Sequence, residues 1–189
     1  MNGAMSLDLT AARETLQRVF GHADFRGLQS GVISEVLEGR DVVAVLPTGG
    51  GKSVCYQIPA ILRPGIGLVV SPLIALMQDQ VAALRTAGVA AARLDSTIQS
   101  DARRETLNAA REGQLDLLYV SPEGLFAQGF LDFLEQCPIA LIAIDEAHCV
   151  SQWGHDFRPD YRALGQLADR FAGVPRMAVT ATADLKTQA

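Results

Sequence analysis

Short, mostly apolar runs that alternate with longer helical segments constrain the fold of this chain more than any other feature. The runs are Val42–Leu46, Ile66–Val70, Leu115–Val120, Ile139–Ile144 and Met177–Val179, with a weaker candidate at Val89–Leu94. Apolar residues at consecutive positions are typical of parallel strands, because both faces of a parallel sheet are covered. Segments of crossover-helix length, such as Leu73–Ala87 and Gln99–Arg111, lie between the runs. The sequence therefore predicts an α/β fold, a mostly parallel sheet with helices on both faces.

The N-terminal part of the chain adds two helices to this pattern. Helical spacing begins near Leu9 and ends at Gly21, and a second amphipathic stretch runs from Leu28 to Gly39. We predict a flexible N-terminus over residues 1–7 and one domain over residues 8–189, because 189 residues leave no room for a second full domain. A hydrophobic fraction of 49% supports a substantial core.

The net charge and the cysteines argue against several classes of protein. Lys plus Arg is 16 and Asp plus Glu is 21, and the resulting charge of −5 argues against a generally basic nucleic-acid binder. Cys55, Cys137 and Cys149 lack metal-binding spacing, so we expect neither zinc in this segment nor a disulfide framework. No apolar run approaches the roughly 18 residues of a membrane span, and no signal peptide is evident. We therefore expect a soluble, cytoplasmic protein without a membrane partner.

The segment that follows the first apolar run has the composition of a phosphate-binding loop. Its three successive glycines permit positive φ angles and inward-pointing N–H groups, and the following helix adds its positive N-terminal end. In such a loop Lys52 reaches the β- and γ-phosphates of a nucleotide, and the Ser53 hydroxyl ligates Mg²⁺. The alternative is a glycine-rich turn that only caps a helix. The candidate nucleotide-binding residues of the loop are Thr48, Gly49, Gly50, Gly51, Lys52 and Ser53.

Two adjacent acids, Asp145 and Glu146, end the apolar run at 139–144. Neighbouring carboxylates at a strand tip repel each other and need a cation or solvent nearby. In a Mg²⁺–nucleotide site Asp145 would hold the metal, directly or through water, and Glu146 would orient and polarise the attacking water. The alternative is that both are exposed loop acids. The sequence thus offers Glu146, Asp145 and Lys52 as catalytic residues, with Ser53 and Asp145 as Mg²⁺ ligands.

Taken together, these motifs resemble those of superfamily 2 helicases, and more narrowly those of the RecQ family. The phosphate loop, Asp145–His148 and Thr180–Thr182 resemble helicase motifs I, II and III. The segment Cys149–Tyr161 resembles the aromatic-rich loop of RecQ helicases, and Ser71–Gln80 resembles their motif Ia. The resemblance implies that residues 8–189 are a RecA-like P-loop domain, the first lobe of the helicase motor.

A RecQ-like motif 0 is carried by Phe20-Gly21-His22, Phe25-Arg26 and Gln29. The resemblance implies that Gln29 reads the adenine edge through paired amide hydrogen bonds, and that Arg26 helps to hold this pocket. The family usually has Pro after Phe-Arg, whereas this chain has Gly27. We expect this departure to loosen the turn before Gln29.

The resemblance also assigns residues to DNA. Ser71 would hold a DNA phosphate, and Thr180 and Thr182 would link the nucleotide and DNA sites. Stacking side chains would sense bound single-stranded DNA and couple its binding to Asp145 and Glu146. Without the resemblance, Trp153 and Phe157 would be interpreted as packing residues. The residues implied for DNA binding or coupling are Ser71, His148, Trp153, Phe157, Arg158, Thr180 and Thr182.

The function implied by the resemblance is that of the ATP-binding lobe of a 3′–5′ DNA helicase, active in DNA repair and recombination. ATP and Mg²⁺ would be its cofactors. Single-stranded and duplex DNA and a second RecA-like lobe of the same full-length chain would be its partners. We expect the second lobe and its arginine finger to lie beyond these residues, so this segment alone should be nearly inactive. In a bacterium the protein would be nucleoid-associated.

Three alternatives remain at the level of sequence. A superfamily 2 motor that acts on RNA or on nucleoprotein shares motifs I to III, and only motif 0 and the aromatic-rich loop argue against it. A nucleotide-gated interaction module would not be an enzyme and would pair with another chain. A small-molecule kinase would need lid and substrate-binding segments that this sequence does not offer.

Overall fold

The computed structural model describes residues 8–47, 49–147 and 166–181. Their strands form a six-stranded, all-parallel sheet in the order β1-β6-β5-β2-β4-β3. This sheet confirms the predicted α/β class. The strands are β1 (Val42–Val45), β2 (Ile66–Val70), β3 (Ala91–Leu94), β4 (Leu117–Val120), β5 (Ile139–Ile144) and β6 (Arg176–Thr180).

Two helices precede the first strand, and the later helices connect the strands as the alternating pattern predicts. α1 begins after Asp8, whose carboxylate accepts hydrogen bonds from the backbone N–H groups of Thr10 and Ala11, and it ends at Gly21 in the left-handed conformation. Residues 166–170 are also helical. The helices are α1 (Leu9–Phe20), α2 (Gln29–Leu37), α3 (Val54–Leu62), α4 (Ile74–Thr86), α5 (Ser100–Arg111), α6 (Pro122–Leu125) and α7 (Phe130–Leu134).

Apolar clusters cover both faces of the sheet. On one face, Val69 and Leu141 pack with side chains of α3 and α4, such as Met77. On the other face, Leu68 and Ile142 pack with side chains of α5, α6 and α7. Because successive strand residues point to opposite faces, this double coverage explains why the strands are apolar at consecutive positions.

Arg63 fixes the N-terminal helices to the sheet. Helices α1, α2 and α3 form an apolar cluster of their own. From the end of α3, Arg63 Nε donates to the carbonyl of Ala140 in β5 at 2.9 Å, and Nη1 donates to the carbonyl of Leu37 at the end of α2 at 2.9 Å. The second bond satisfies the carbonyl of Leu37, which the end of α2 leaves without an intrahelical partner. The two bonds hold α2 so that its first residue, Gln29, lies at the loop that follows β1.

Candidate active site

The predicted site residues that the structure describes meet at the carboxyl edge of the sheet. The N–H of Leu46, after β1, donates to the carbonyl of Thr180 at the end of β6 at 3.0 Å. The N–H of Asp145, after β5, donates to the carbonyl of Val70 at the end of β2 at 2.8 Å. The N–H of Ala147 donates to Val179 of β6 at 2.9 Å. The loops after β1 and β5 are therefore bonded to the strands beside them, at the edge where parallel α/β sheets bind ligands.

The loop after β1 depends on its glycines. Gly49 and Gly51 have φ angles of +77° and +69°, in the region that favours glycine. The N–H of Gly50 donates to the carbonyl of Pro47 at 2.9 Å, and a Cβ at Gly50 would lie 2.8 Å from that oxygen. The loop is therefore a tight backbone turn that runs directly into α3, as the phosphate-loop interpretation requires.

Lys52 and Glu146 form an ion pair across this edge. Lys52 Nζ lies 3.4 Å from Glu146 Oε1, and the two side chains are only 13% and 19% exposed. Glu146 also has a φ angle of +52°, and it is the one non-glycine residue in the described part of the chain with positive φ. Such backbone strain is concentrated at functional sites in proteins. The geometry brings together two of the residues, Lys52 and Glu146, that the sequence offered as catalytic.

Asp145 is a buried carboxylate rather than an exposed loop acid, since the residue is 6% exposed. Its Oδ1 accepts from the N–H of Glu146 at 3.0 Å, and its Oδ2 accepts from the Tyr56 hydroxyl at 3.3 Å. Burial, followed by the charge of Glu146, raises the pKa of Asp145, against the lowering effects of these hydrogen bonds and of Lys52. A cation beside two such carboxylates would stabilise their charged forms.

Gln29 is placed against the phosphate loop. Its Oε1 accepts from the N–H of Arg26 at 2.8 Å, and its Nε2 donates to the carbonyls of Gly50 and Gly51 at 3.0 and 3.2 Å. Both ends of the amide thus bond the backbone of this chain. The preceding turn has Gly27 at a φ angle of +51°, which proline cannot adopt. The departure from the family motif therefore accompanies a well-defined turn, and the adenine contact of Gln29 stays a prediction, as does the role of the exposed Arg26 side chain.

The residues assigned to DNA are only partly described. Ser71, at the end of β2, is 1% exposed, and its Oγ has no hydrogen-bond partner within the described residues. Thr180 is buried at the end of β6, beside the loop that follows β1. The other predicted site residues, namely Thr48, His148, Trp153, Phe157, Arg158 and Thr182, lie outside the described residues.

Tyr56 and Gln57 contribute polar groups that sequence reasoning missed. Tyr56 donates to Asp145, and the adjacent Gln57 donates to the buried Tyr119 hydroxyl at 2.9 Å. Burial, followed by the influence of Tyr119 and Asp145, raises the pKa of Tyr56 well above its ordinary value, so the hydroxyl keeps its proton. Within an apolar helix, a tyrosine and a glutamine carry no sequence signal that separates them from packing residues.

The described residues contain no group of three or more acidic, histidine or cysteine side chains placed to hold a metal ion. Burial raises the pKa of the free Cys55 thiol, beside the phosphate loop, to about 12, which keeps the thiol protonated. Cys137 is a second buried, free thiol. No helix in the described ranges is both long and apolar enough to span a membrane.

The glycine-rich loop after β1 thus faces the acidic pair that follows β5, because Lys52 is paired with Glu146. The sequence profile of the DEAD/DEAH box helicases matches residues 26–189. The chain belongs to this family. Within the helicases it is 47% identical, over 96% of its length, to the ATP-dependent DNA helicase RecQ of Haemophilus influenzae. It is 48% identical, over 93% of its length, to the RecQ of Bacillus subtilis. The predicted resemblance to RecQ helicases is confirmed.

Solved helicase structures share the fold. The chain superimposes on a hypothetical ATP-dependent RNA helicase from Sulfolobus tokodaii with a TM-score of 0.72 at 22% identity, covering 94% of this chain and 52% of the other. At that identity the likeness concerns the fold alone. The chain spans 29% and 30% of the lengths of the two RecQ relatives, so it corresponds to one part of such helicases.

Proposed function

We propose that this chain is the ATP-binding lobe, residues 8–189, of a RecQ-type 3′–5′ DNA helicase. The observation that carries the proposal is the Lys52–Glu146 ion pair at 3.4 Å, beside the buried Asp145 and at the end of the glycine-rich loop. A turn that merely capped a helix would need neither this pairing nor a strained acidic residue opposite the loop.

The loop and the acids fit a nucleotide and its metal ion. The positive-φ glycines and the start of α3 would provide backbone N–H groups for phosphate oxygens, and Thr48 would also contact the nucleotide. Ser53 and Asp145 would hold Mg²⁺, which prefers oxygen ligands and takes the rest from phosphate and water. When bound, this ion would neutralise charge on the phosphates. On the other side of the loop, Gln29 and Arg26 would hold the adenine.

The reaction is in-line attack of water on the γ-phosphate. Glu146 would accept the proton of the attacking water, and Lys52 would stabilise the negative charge on the phosphate oxygens. An arginine finger is worth about 10³–10⁵ in rate in related phosphoryl-transfer enzymes. We expect the second RecA-like lobe of the full-length protein to supply it, so this segment alone should turn over slowly and unwind nothing.

DNA is the proposed polymer substrate. The relatives at 47% and 48% identity are named DNA helicases, whereas the neighbour named an RNA helicase is only 22% identical. Ser71 would bind a DNA phosphate, and Trp153, Phe157 and Arg158 would stack on single-stranded bases. His148, Thr180 and Thr182 would connect these contacts to the nucleotide. Because the proposed substrate is DNA, we also propose roles in DNA repair and recombination. In a bacterium the protein would be cytoplasmic and nucleoid-associated.

Calorimetry on the 189-residue chain tests the nucleotide site. We expect a non-hydrolysable ATP analogue with Mg²⁺ to bind wild type and not Lys52→Ala. Lys186→Ala is the matched control, because the chain contains only these two lysines. Equal binding by Lys52→Ala and wild type would refute the site, and so would binding by neither.

Whether the polymer substrate is DNA or RNA must be tested with the complete polypeptide that carries this sequence. We expect single-stranded DNA to stimulate its ATPase activity more strongly than RNA of the same length and sequence. The reverse order would replace the DNA helicase by an RNA or nucleoprotein motor.

A further inference from the structure

A buried connection of hydrogen bonds and one aromatic ring contact leads from Asp145 to helix α4. Tyr56 donates to Asp145 Oδ2 at 3.3 Å, and its ring meets the Tyr119 ring edge to face with centroids 6.5 Å apart. Gln57 Nε2 then donates to Tyr119 at 2.9 Å and to Gln80 Oε1 at 2.7 Å.

The members of this connection depend on one another. Tyr56 and Tyr119 are fully buried and Gln57 is 2% exposed, so none of them can exchange its partner for water. The two hydrogens of the Gln57 amide have separate acceptors, Tyr119 and Gln80. A buried donor that loses its acceptor costs about 1–3 kcal/mol. Moving one member therefore forces the next to move or to remain unpaired.

Gln80 is where the connection approaches the surface. It is half-buried, whereas Asp145, Tyr56, Gln57 and Tyr119 are all buried. It lies in α4, which begins at Ile74, directly after the segment proposed to bind a DNA phosphate through Ser71. A contact that shifts α4 would therefore act first on the Gln57–Gln80 hydrogen bond.

We propose that Tyr56, Tyr119, Gln57 and Gln80 are positioning residues that couple helix α4 to the carboxylate of Asp145. The inference rests on the proposed function. It adds a route between polymer and nucleotide that runs through the interior of the lobe and does not use residues 149–161. Withdrawal of Gln80 would loosen the Tyr56–Asp145 bond, and an ordered Asp145 would hold Gln80 in place in return.

The coupling can be measured in the complete polypeptide as the ratio of its Kd values for a single-stranded oligonucleotide with and without a Mg²⁺–ATP analogue. Gln80→Met removes the acceptor for Gln57, whereas Gln80→Glu keeps one. Gln78→Met is the matched control, since Gln78 is exposed on the same helix. We expect Gln80→Met to bring the ratio closer to one by about fivefold, and Gln80→Glu and Gln78→Met to retain it.

Equal ratios for Gln80→Met and Gln78→Met would overturn the inference, as would a loss in Gln80→Glu as large as in Gln80→Met. A wild-type protein that binds both ligands without coupling would overturn it while leaving the proposed function intact. Absence of nucleotide binding in wild type would instead refute the proposed function. Should Gln80→Met not fold, Tyr119→Phe removes the next hydroxyl, and its expected loss of coupling decides in the same way.

Tyr56→Phe tests the other end of the connection. It removes the Tyr56 hydroxyl that donates to Asp145 and keeps the ring packing. We expect the Mg²⁺ concentration for half-maximal nucleotide binding to rise about tenfold, as happens when outer partners of metal ligands are removed. The Kd for nucleotide in EDTA should not change. An unchanged Mg²⁺ requirement would show that Tyr56 only packs.

Discussion

Lys52 Nζ lies 3.4 Å from Glu146 Oε1, so the amine expected to bind phosphate is paired with the carboxylate expected to activate water. A phosphate chain that enters the loop competes with Glu146 for the same ammonium group. Nucleotide binding should therefore separate the pair and leave the carboxylate available to a water molecule.

Glu146→Gln should block hydrolysis without weakening nucleotide binding. The amide cannot accept the proton of the attacking water, and general-base loss costs about 10²–10⁴ in rate. The substitution also removes the anion that competes with phosphate for Lys52, so affinity for the ATP analogue should be equal or higher. ATPase assays and calorimetry measure the two effects. Glu105→Gln, on the exposed side of α5, is the control. Turnover within threefold of wild type would contradict the role of Glu146.

Gly50→Ala should abolish nucleotide binding. The added Cβ would lie 2.8 Å from the carbonyl oxygen of Pro47, so the loop backbone must shift. Gly31→Ala is the control, because a Cβ at this position of α2 meets nothing within 4 Å. That substitution should stabilise the fold by up to about 1 kcal/mol through helix propensity. Calorimetry and thermal unfolding distinguish the two variants, and normal binding by Gly50→Ala would show that the loop is not a tight phosphate cradle.

Gln29→Glu should disorder the phosphate loop. Glutamate has no donor for the carbonyls of Gly50 and Gly51, which now accept from Nε2 at 3.0 and 3.2 Å. Its charge also lies against those oxygens, and we expect a loss of about 1–3 kcal/mol in unfolding free energy. Affinity for adenine nucleotides should fall as well. Gln17→Glu, on the exposed side of α1, should change neither quantity. Unchanged stability and affinity in Gln29→Glu would contradict the contact.

Because of Asp95, the unfolding free energy should depend on pH in the acid range. Burial tends to raise its pKa, but hydrogen bonds from Thr97 and the partner Arg93 outweigh burial and hold the pKa below the ordinary 3.8. A lowered native pKa stabilises the fold above the unfolded pKa, and this stability is lost as the pH falls through the native value. Asp95→Asn should therefore cost about 1.5–3 kcal/mol at pH 7. The difference from wild type should shrink below about pH 4.

Denaturant unfolding at several pH values measures this difference. Asp101→Asn removes a highly exposed acid of α5 and is the control, for which we expect no comparable pH-dependent difference. If Asp95→Asn lowers the unfolding free energy by the same amount at every pH, the loss comes from side-chain packing and not from the charge of Asp95.

Much of the fold could be predicted because the pattern of apolar residues in the sequence identifies the buried strands and helices. Strand β2 coincides with the predicted run Ile66–Val70, since all five of its residues are buried. Helix α4 lies within one residue of the predicted segment at each end. The run Leu115–Val120 is longer than β4, because Asp116 turns its carboxylate to the N–H of Ala90 at 2.9 Å instead of joining the strand interior.

Other features could not be predicted, for physical reasons. Helices α6 and α7 have four and five residues, too few to show a helical period. The strand order depends on packing between distant segments. The alternative of exposed acids at 145 and 146 could be removed only by the burial of Asp145 and the pairing of Glu146. Likewise, only the coordinates reveal that Gln29 bonds the loop carbonyls.

Strand β1 lies at one border of the sheet, and β6, among the last residues described, is its neighbour. During synthesis the glycine-rich segment therefore leaves the ribosome long before the strand that anchors it. Arg176, whose N–H bonds the Asp41 carboxylate, follows that residue by 135 positions. A nascent chain should acquire nucleotide affinity in a single late step, when residues 176–180 insert between β1 and β5, and not gradually as it lengthens.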